Sequence, residues 1–209
     1  MGKFITFEGP DGAGKTTVLN NIINRLKHSE FNLTDFVITR EPGGTEAGNQ
    51  IRKIVLDEPN INIDIGTEVL LFAAARRQHV VEKIKPALNA GKIVLSDRFL
   101  DSSVAYQGGG RHFGLNQVLD INRYATENLE PDVTFYLKLD PETGLDRINQ
   151  LRSDEVNRLD EEKISFYQDT VAAYEQIINK NPERFSIIDA SRPLSVVTDD
   201  VWNQLLAVI

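Results

Sequence analysis

Residues 9–16 read Gly9-Pro10-Asp11-Gly12-Ala13-Gly14-Lys15-Thr16, a G-x-x-x-x-G-K-[S/T] phosphate loop, with Thr17 directly after it. The loop follows the apolar run Phe4 to Phe7 and opens a segment, Thr16 to Lys27, whose apolar positions recur at helical spacing. Strand, glycine loop and helix in that order are the context the motif requires. Gly9 and Gly14 let the backbone curl so that successive N–H groups aim at phosphate oxygens, and the positive end of the helix adds to the same field. In this arrangement Lys15 reaches the β- and γ-phosphates of a nucleotide and the Thr16 hydroxyl ligates Mg2+. The Lys15 ammonium is expected to face solvent while the loop is empty.

Further along, the short apolar runs Phe36 to Thr39, Ile93 to Ser96, Val133 to Leu137 and Phe185 to Ile188 read as strands buried on both faces, which implies a parallel sheet. Between them lie helical patterns over Thr67 to Asn89, Asn116 to Asn128, Ser165 to Asn179 and Val196 to Val208. This alternation predicts an α/β fold, a doubly wound parallel sheet whose ligands bind beyond the carboxyl ends of the strands. The 209 residues suit one domain. A polar, charge-dense stretch, Gln150 to Arg158, reads as a lid, taken here over about residues 147–158.

With 41% hydrophobic and 26% charged residues the composition is that of an ordinary globular protein. The net charge of -8 argues against a broad nucleic-acid footprint, since phosphate backbones are gripped by surplus basic charge. Cysteine is absent, which rules out disulfides and thiolate chemistry and is compatible with a reducing cytoplasm. No run reaches membrane-spanning length, and the N-terminal apolar stretch is too short for a secretory signal.

Asp97 ends the run Ile93 to Ser96, where an acid beside a phosphate loop holds Mg2+ through water. A phosphoryl acceptor that is itself a phosphate needs a second anion site, and guanidinium forks suit it. Arg40 and Arg98 stand at predicted strand ends, whereas Arg52, Arg76 and Arg77 lie on helical segments.

These residues carry a family resemblance. Thr39-Arg40-Glu41-Pro42-Gly43-Gly44-Thr45 with Gly48 and Ile51-Arg52, then Leu71-Phe72-Ala73-Ala74-Ala75-Arg76, then Asp97-Arg98-Phe99-Leu100-Asp101-Ser102-Ser103-Val104-Ala105-Tyr106-Gln107-Gly108, resemble the successive motifs of the thymidylate kinase family. The resemblance runs from residue 4 to about residue 190. It implies the P-loop nucleoside-monophosphate kinase fold, ATP and dTMP as substrates, Mg2+ as cofactor and a homodimer. Glu41 and Pro42 would belong to the acceptor segment, with Arg40, Arg98 and Arg52 on its phosphate. Phe72 would stack on thymine, Arg76, Ser103 and Gln107 would read its edge, Asp11 would meet the 3′-hydroxyl, and Tyr106 would occupy the space of a ribose 2′-hydroxyl.

Two positions depart from the family pattern. Phe99 replaces the more frequent tyrosine or histidine, and Gly12 stands where some members carry a loop arginine. The bacterial type places basic residues in the lid instead, and Arg147, Arg152 and Arg158 fit that pattern, with Arg152 and Arg158 as the candidate catalytic pair. Phosphoryl transfer between two phosphates needs no side-chain nucleophile, so Lys15, Arg98, Asp97 and the lid arginines suffice as machinery. A kinase for another nucleotide or a deoxynucleoside, with Glu41 or Asp97 as base, and a P-loop switch ATPase are the alternative readings.

Overall fold

The computed structural model describes residues 2–57, 62–151 and 163–209. Five parallel strands form one sheet in the order β2-β3-β1-β4-β5. They are β1 (Lys3–Glu8), β2 (Phe36–Arg40), β3 (Ile93–Asp97), β4 (Val133–Lys138) and β5 (Phe185–Asp189). The continuous apolar runs mark strands covered on both faces. In β1, Phe4, Ile5 and Phe7 are almost fully buried, the first in one apolar layer and the other two in the opposite one.

The layer under Ile5 and Phe7 is completed by α1 (Lys15–Lys27) and α9 (Leu194–Val208), which bury Val18, Ile22 and Leu26 against Val197, Val201 and Leu205. The layer on the other face holds α3 (Ile65–His79) and its continuation through a π-helical turn, Val80–Ile84, into α4 (Lys85–Asn89). The helix expected over Thr67 to Asn89 is thus present, with a widened turn at its middle.

Arg52, expected on a helical segment, ends α2 (Glu46–Arg52). Two segments escaped the sequence reading, α7 (Pro141–Leu151) and the short α5 (Leu100–Ser103) with its π-helical continuation Val104–Gly110. The second ends in three glycines, the poorest helix formers after proline. Packing holds it there against propensity: a Cβ on Gly109 would stand 2.4 Å from the Ala173 side chain, so α8 (Ile164–Lys180) approaches only because that carbon is missing. The remaining helix is α6 (Leu115–Thr126).

Register aligns the strand ends. Phe7 of β1 and Arg40 of β2 both lie level with Asp97 of β3. The chain leaves β1 toward β2 on one side and leaves β3 toward β4 on the other, so the crevice opens between the carboxyl ends of β1 and β3, where ligands of such sheets bind.

Candidate active site

The loop between β1 and α1 forms one wall of this crevice. Gly14 adopts a left-handed conformation (φ 84°) just ahead of α1, and Thr16 and Thr17 are exposed in its first turn. Lys15, against expectation, does not face solvent: it is 6% exposed and donates to the Gly9 carbonyl at 2.9 Å and the Pro10 carbonyl at 2.7 Å. A buried ammonium must find acceptors, and the loop's own carbonyls supply them. Burial, with Arg98 nearby, pulls its pKa down to about 8, against the pull of Asp11, Asp97 and Glu8.

Gly12 shows why no side chain stands at the loop's tip. Its φ is 77°, and a Cβ there would lie 2.3 Å from the Gly144 carbonyl oxygen of α7. Arg147, one turn further along α7, donates to the Gly12 carbonyl at 3.3 Å and to the Ala190 carbonyl at 3.1 Å. Residues 147–151 therefore belong to α7, which packs under the loop. Arg152 and Arg158 lie outside the described residues.

Asp97 at the end of β3 faces the start of α1, where the Thr16 hydroxyl donates to its Oδ2 at 2.5 Å. Arg98 has a left-handed backbone (φ 71°), a strained conformation for a long side chain that costs on the order of 1 kcal/mol or more. The turn sends its guanidinium back over the loop. There it pairs with Asp11, donates to Ser102 Oγ at 3.1 Å and Gly9 O at 3.4 Å, and lies 5.1 Å from the Tyr106 ring centre. The Tyr106 hydroxyl donates to the other Asp11 oxygen at 2.9 Å, so Asp11, Arg98 and Tyr106 form one unit.

Across from the loop, Arg40 ends β2 with its side chain exposed. Arg52 of α2 donates to the Pro42 carbonyl at 3.4 Å. Its pKa is lowered by burial first, then by the positive charges of Arg40 and Arg98, opposed by Asp57 and Asp97. The charges of Arg40 at the end of β2 and of Arg98 after β3 are thus both felt at Arg52.

Deeper in, Arg76 of α3 donates from Nε to Glu41 at 2.7 Å, from Nη1 to Asn122, and from Nη2 to Ser103 Oγ at 3.0 Å and the Phe99 carbonyl at 3.1 Å. Four of the five guanidinium N–H groups have protein partners, and one on Nη1 is left to give. Glu41 spends its other oxygen on His79 at 2.9 Å, and His79 reaches Thr39 at 2.6 Å. Burial alone raises the Glu41 pKa, but Arg76 and His79 outweigh it and hold it below the ordinary value. Glu41 therefore fixes Arg76 and is poorly placed to take a proton. Phe72, 7% exposed, packs with Val55 and Leu56, and Gln107 donates to Glu68 at 3.0 Å.

Sequence reasoning missed Glu8. It is fully buried, accepts from Phe99 N at 2.8 Å, Ser102 N at 3.3 Å, Ser102 Oγ at 2.6 Å and Tyr174 Oη at 2.8 Å, and so caps α5 from another element. Its signal was the one used for Asp97, an acid at the end of an apolar strand. Asp101, Glu68, His79, Asn122 and Arg184 had no such signal. Arg184 clamps Asp101 with two bonds of 2.7 and 2.8 Å, and four separate elements supply these residues.

Burial, then the neighbouring Asp101, pushes the Glu8 pKa from 4.5 to about 7, against the hydrogen bonds of Ser102 and Tyr174 and the charge of Arg98. Between those two values the folded protein keeps a proton that the unfolded chain has released. Glu8 thus makes stability fall as pH rises through that window, by about 3 kcal/mol in full. Glu8→Gln should remove this fall, and the difference between parent and variant thermal midpoints, followed with pH, measures it. Parallel curves would show that Glu8 is ionised throughout.

A phosphate loop, an acid-hydroxyl pair beside it and a facing cluster of arginines define a P-loop nucleotide kinase. The family model for thymidylate kinase matches residues 7–201. The chain belongs to the thymidylate kinase family. It is 51% identical over 197 residues to the thymidylate kinase of Latilactobacillus sakei subsp. sakei (strain 23K), covering 94% of this chain and 91% of that one. Identity to the thymidylate kinase of Bacillus pumilus (strain SAFR-032) is 47% over 208 residues, 100% of this chain and 95% of the relative. The crystal structure of thymidylate kinase from Ehrlichia chaffeensis superposes with a TM-score of 0.80 at 32% identity, covering 99% of this chain and 100% of that one.

Proposed function

We propose that this protein moves the γ-phosphoryl group of ATP onto dTMP, forming dTDP and ADP. The observation that carries the reading is the gathering of positive charge beside the phosphate loop: Arg98 is bonded to Asp11 and Gly9 of the loop, and its charge and that of Arg40 are both felt at Arg52. A switch ATPase has no use for such a gathering, whereas a kinase whose acceptor is a phosphate monoester requires one.

An oxygen of the acceptor phosphate attacks the γ-phosphorus while the bond from that phosphorus to the β-γ bridging oxygen breaks, and the electron pair leaves with ADP. The acceptor oxygen is already a nucleophile at neutral pH, so no protein base is needed. Arg40, Arg52 and Arg98 would aim it, and Lys15, drawn off the Gly9 and Pro10 carbonyls by the incoming phosphates, would neutralise charge on the moving group. The oxygens of Thr16 and Asp97 suit Mg2+ and would hold it beside the phosphate loop. When bound it would neutralise charge on the β- and γ-phosphates. Gly9 to Thr17 would hold ATP, with Arg152 and Arg158 closing over it.

Thymine would lie on Phe72 with Arg76, Ser103 and Gln107 at its edge, and Asp11 would receive the 3′-hydroxyl. Tyr106 is held by Asp11 and by Arg98 and is 4% exposed, so its ring is not free to move aside for a 2′-hydroxyl. The same reading includes a homodimer, supported by the exposed Leu70 of α3, Val81 of its continuation and Tyr124 of α6. It also includes the cytoplasm, supported by the absence of cysteine. Among the described residues no helix is long and apolar enough to cross a membrane.

ADP release measured with and without dTMP tests the reading, with turnover expected only when both substrates are present. UMP and dCMP should be poor acceptors, because a site built to hydrogen-bond one base edge rejects the wrong one strongly. Against dUMP the preference should be smaller, since one methyl is worth about 1 to 3 kcal/mol in an apolar pocket. Comparable kcat/KM for dTMP and dCMP would remove the base-reading roles from Arg76 and Gln107.

A further inference from the structure

Glu68 is nearly inaccessible, at 1% exposure, in the helix that carries Phe72 and Arg76. Glu68, Phe72 and Arg76 recur every four residues and so share one face of α3. Facing them, Ser103 and Gln107 stand four apart on α5 and its continuation. Two rungs join the faces: Arg76 Nη2 to Ser103 Oγ at 3.0 Å, and Gln107 Nε2 to Glu68 Oε1 at 3.0 Å. Phe72 lies between them in sequence on its face. A buried carboxylate is costly unless paired, and Arg111 Nε, 3.6 Å from the same Glu68 oxygen, supplies positive charge.

We propose that Glu68 is a specificity-determining positioning residue, which sets the orientation of the Gln107 amide and thereby the base that the pocket accepts. This rests on the reading of the base site given above. A glutamine amide has a donor end and an acceptor end, and its own shape hardly distinguishes the two orientations. A carboxylate only accepts, so Glu68 must be met by the Gln107 NH2 group. One N–H of that group is then spent on Glu68, and the Gln107 carbonyl is the acceptor left for a ligand. A carbonyl suits the N3–H of thymine, while the remaining N–H of Arg76 suits its O4. Cytosine presents the reverse pattern, an acceptor at N3 and a donor at N4, so it meets acceptor with acceptor and donor with donor. If the amide turned over, its NH2 group would satisfy the cytosine N3. Glu68 thus acts at one remove, by denying Gln107 its second orientation.

The test compares kcat/KM for dTMP and for dCMP in the parent, Glu68→Gln, Gln107→Ala and the double variant, each checked for folding by its thermal midpoint. In Glu68→Gln the new amide can give as well as accept, so the dTMP/dCMP ratio should fall by about tenfold or more. In the Gln107→Ala background the same change should leave the ratio where Gln107→Ala alone puts it. Glu68→Asp, which keeps the charge and withdraws it by one methylene, should give an intermediate ratio, and it replaces Glu68→Gln if that variant does not fold. Equal losses for both substrates with an unchanged ratio would overturn the proposal and leave Glu68 a packing residue. So would a fall that persists in full without Gln107. A parent that prefers dTMP while Gln107→Ala keeps the same ratio would instead refute Gln107 as a reader of the base, and a parent inactive on dTMP would refute the function itself.

Discussion

Lys15→Ala should lower kcat by about a thousandfold, the loss seen when a positioned donor to transition-state charge is removed. The ammonium bridges Gly9 O and Pro10 O, and these carbonyls are weaker partners than nucleotide phosphates would be. Because Lys15 is buried, the variant should also lose its two hydrogen bonds, and stability should fall by about 1 kcal/mol, since Gly9 O keeps Arg98 and Pro10 O keeps the Ala13 N–H. The thermal midpoint of the empty protein measures that loss separately from turnover, and a folded variant with near-normal kcat would remove Lys15 from the chemistry.

Arg152→Ala and Arg158→Ala, singly and together, are expected to lower kcat with ATP and dTMP binding kept within a few-fold. Charge delivered by an arginine to a moving phosphoryl group contributes roughly 10³ to 10⁵ in rate. Two observations narrow where that charge can come from. The Gly144 carbonyl fills the space beside Gly12, so no arginine could project from the loop's tip. Arg147 is spent on the Gly12 and Ala190 carbonyls. Arg152 and Arg158 remain as the basic residues of the polar segment after α7. If they were only solvated surface charges, each change would matter by about 1 kcal/mol or less. Single-turnover rates distinguish the cases: all three variants within a few-fold of the parent would place the catalytic charge elsewhere.

The strands were legible because each is an apolar run bounded by polar residues, a signal contained in about five consecutive positions. The observed bounds of β2 and β3 differ from the expected ones by one residue at the carboxyl end, where Arg40 and Asp97 belong to the strands. The helix at 100–110 was not legible, because Gly108 to Gly110 argue against it locally. Its reason lies more than fifty residues away, in Ala173, Thr170 and Phe166 on α8.

The candidate site divides along the same line. The loop, Asp97 and the strand-end arginines announce themselves, since phosphate chemistry demands particular residue types at particular spacings or at strand ends. Their partners do not. Whether Arg76 has one free N–H or five depends on Glu41, Asn122, Phe99 and Ser103, which four different elements and loops bring to it. Whether Lys15 meets solvent or carbonyls depends on how tightly the loop closes upon itself. Sequence by itself determined the sheet, the phosphate loop and the sign of charge around the crevice, because these follow from local pattern and residue chemistry. Tertiary structure alone decided which polar groups are already satisfied and which are left for a ligand, because a buried hydrogen bond is made by whatever the fold brings within about 3 Å, regardless of distance along the chain.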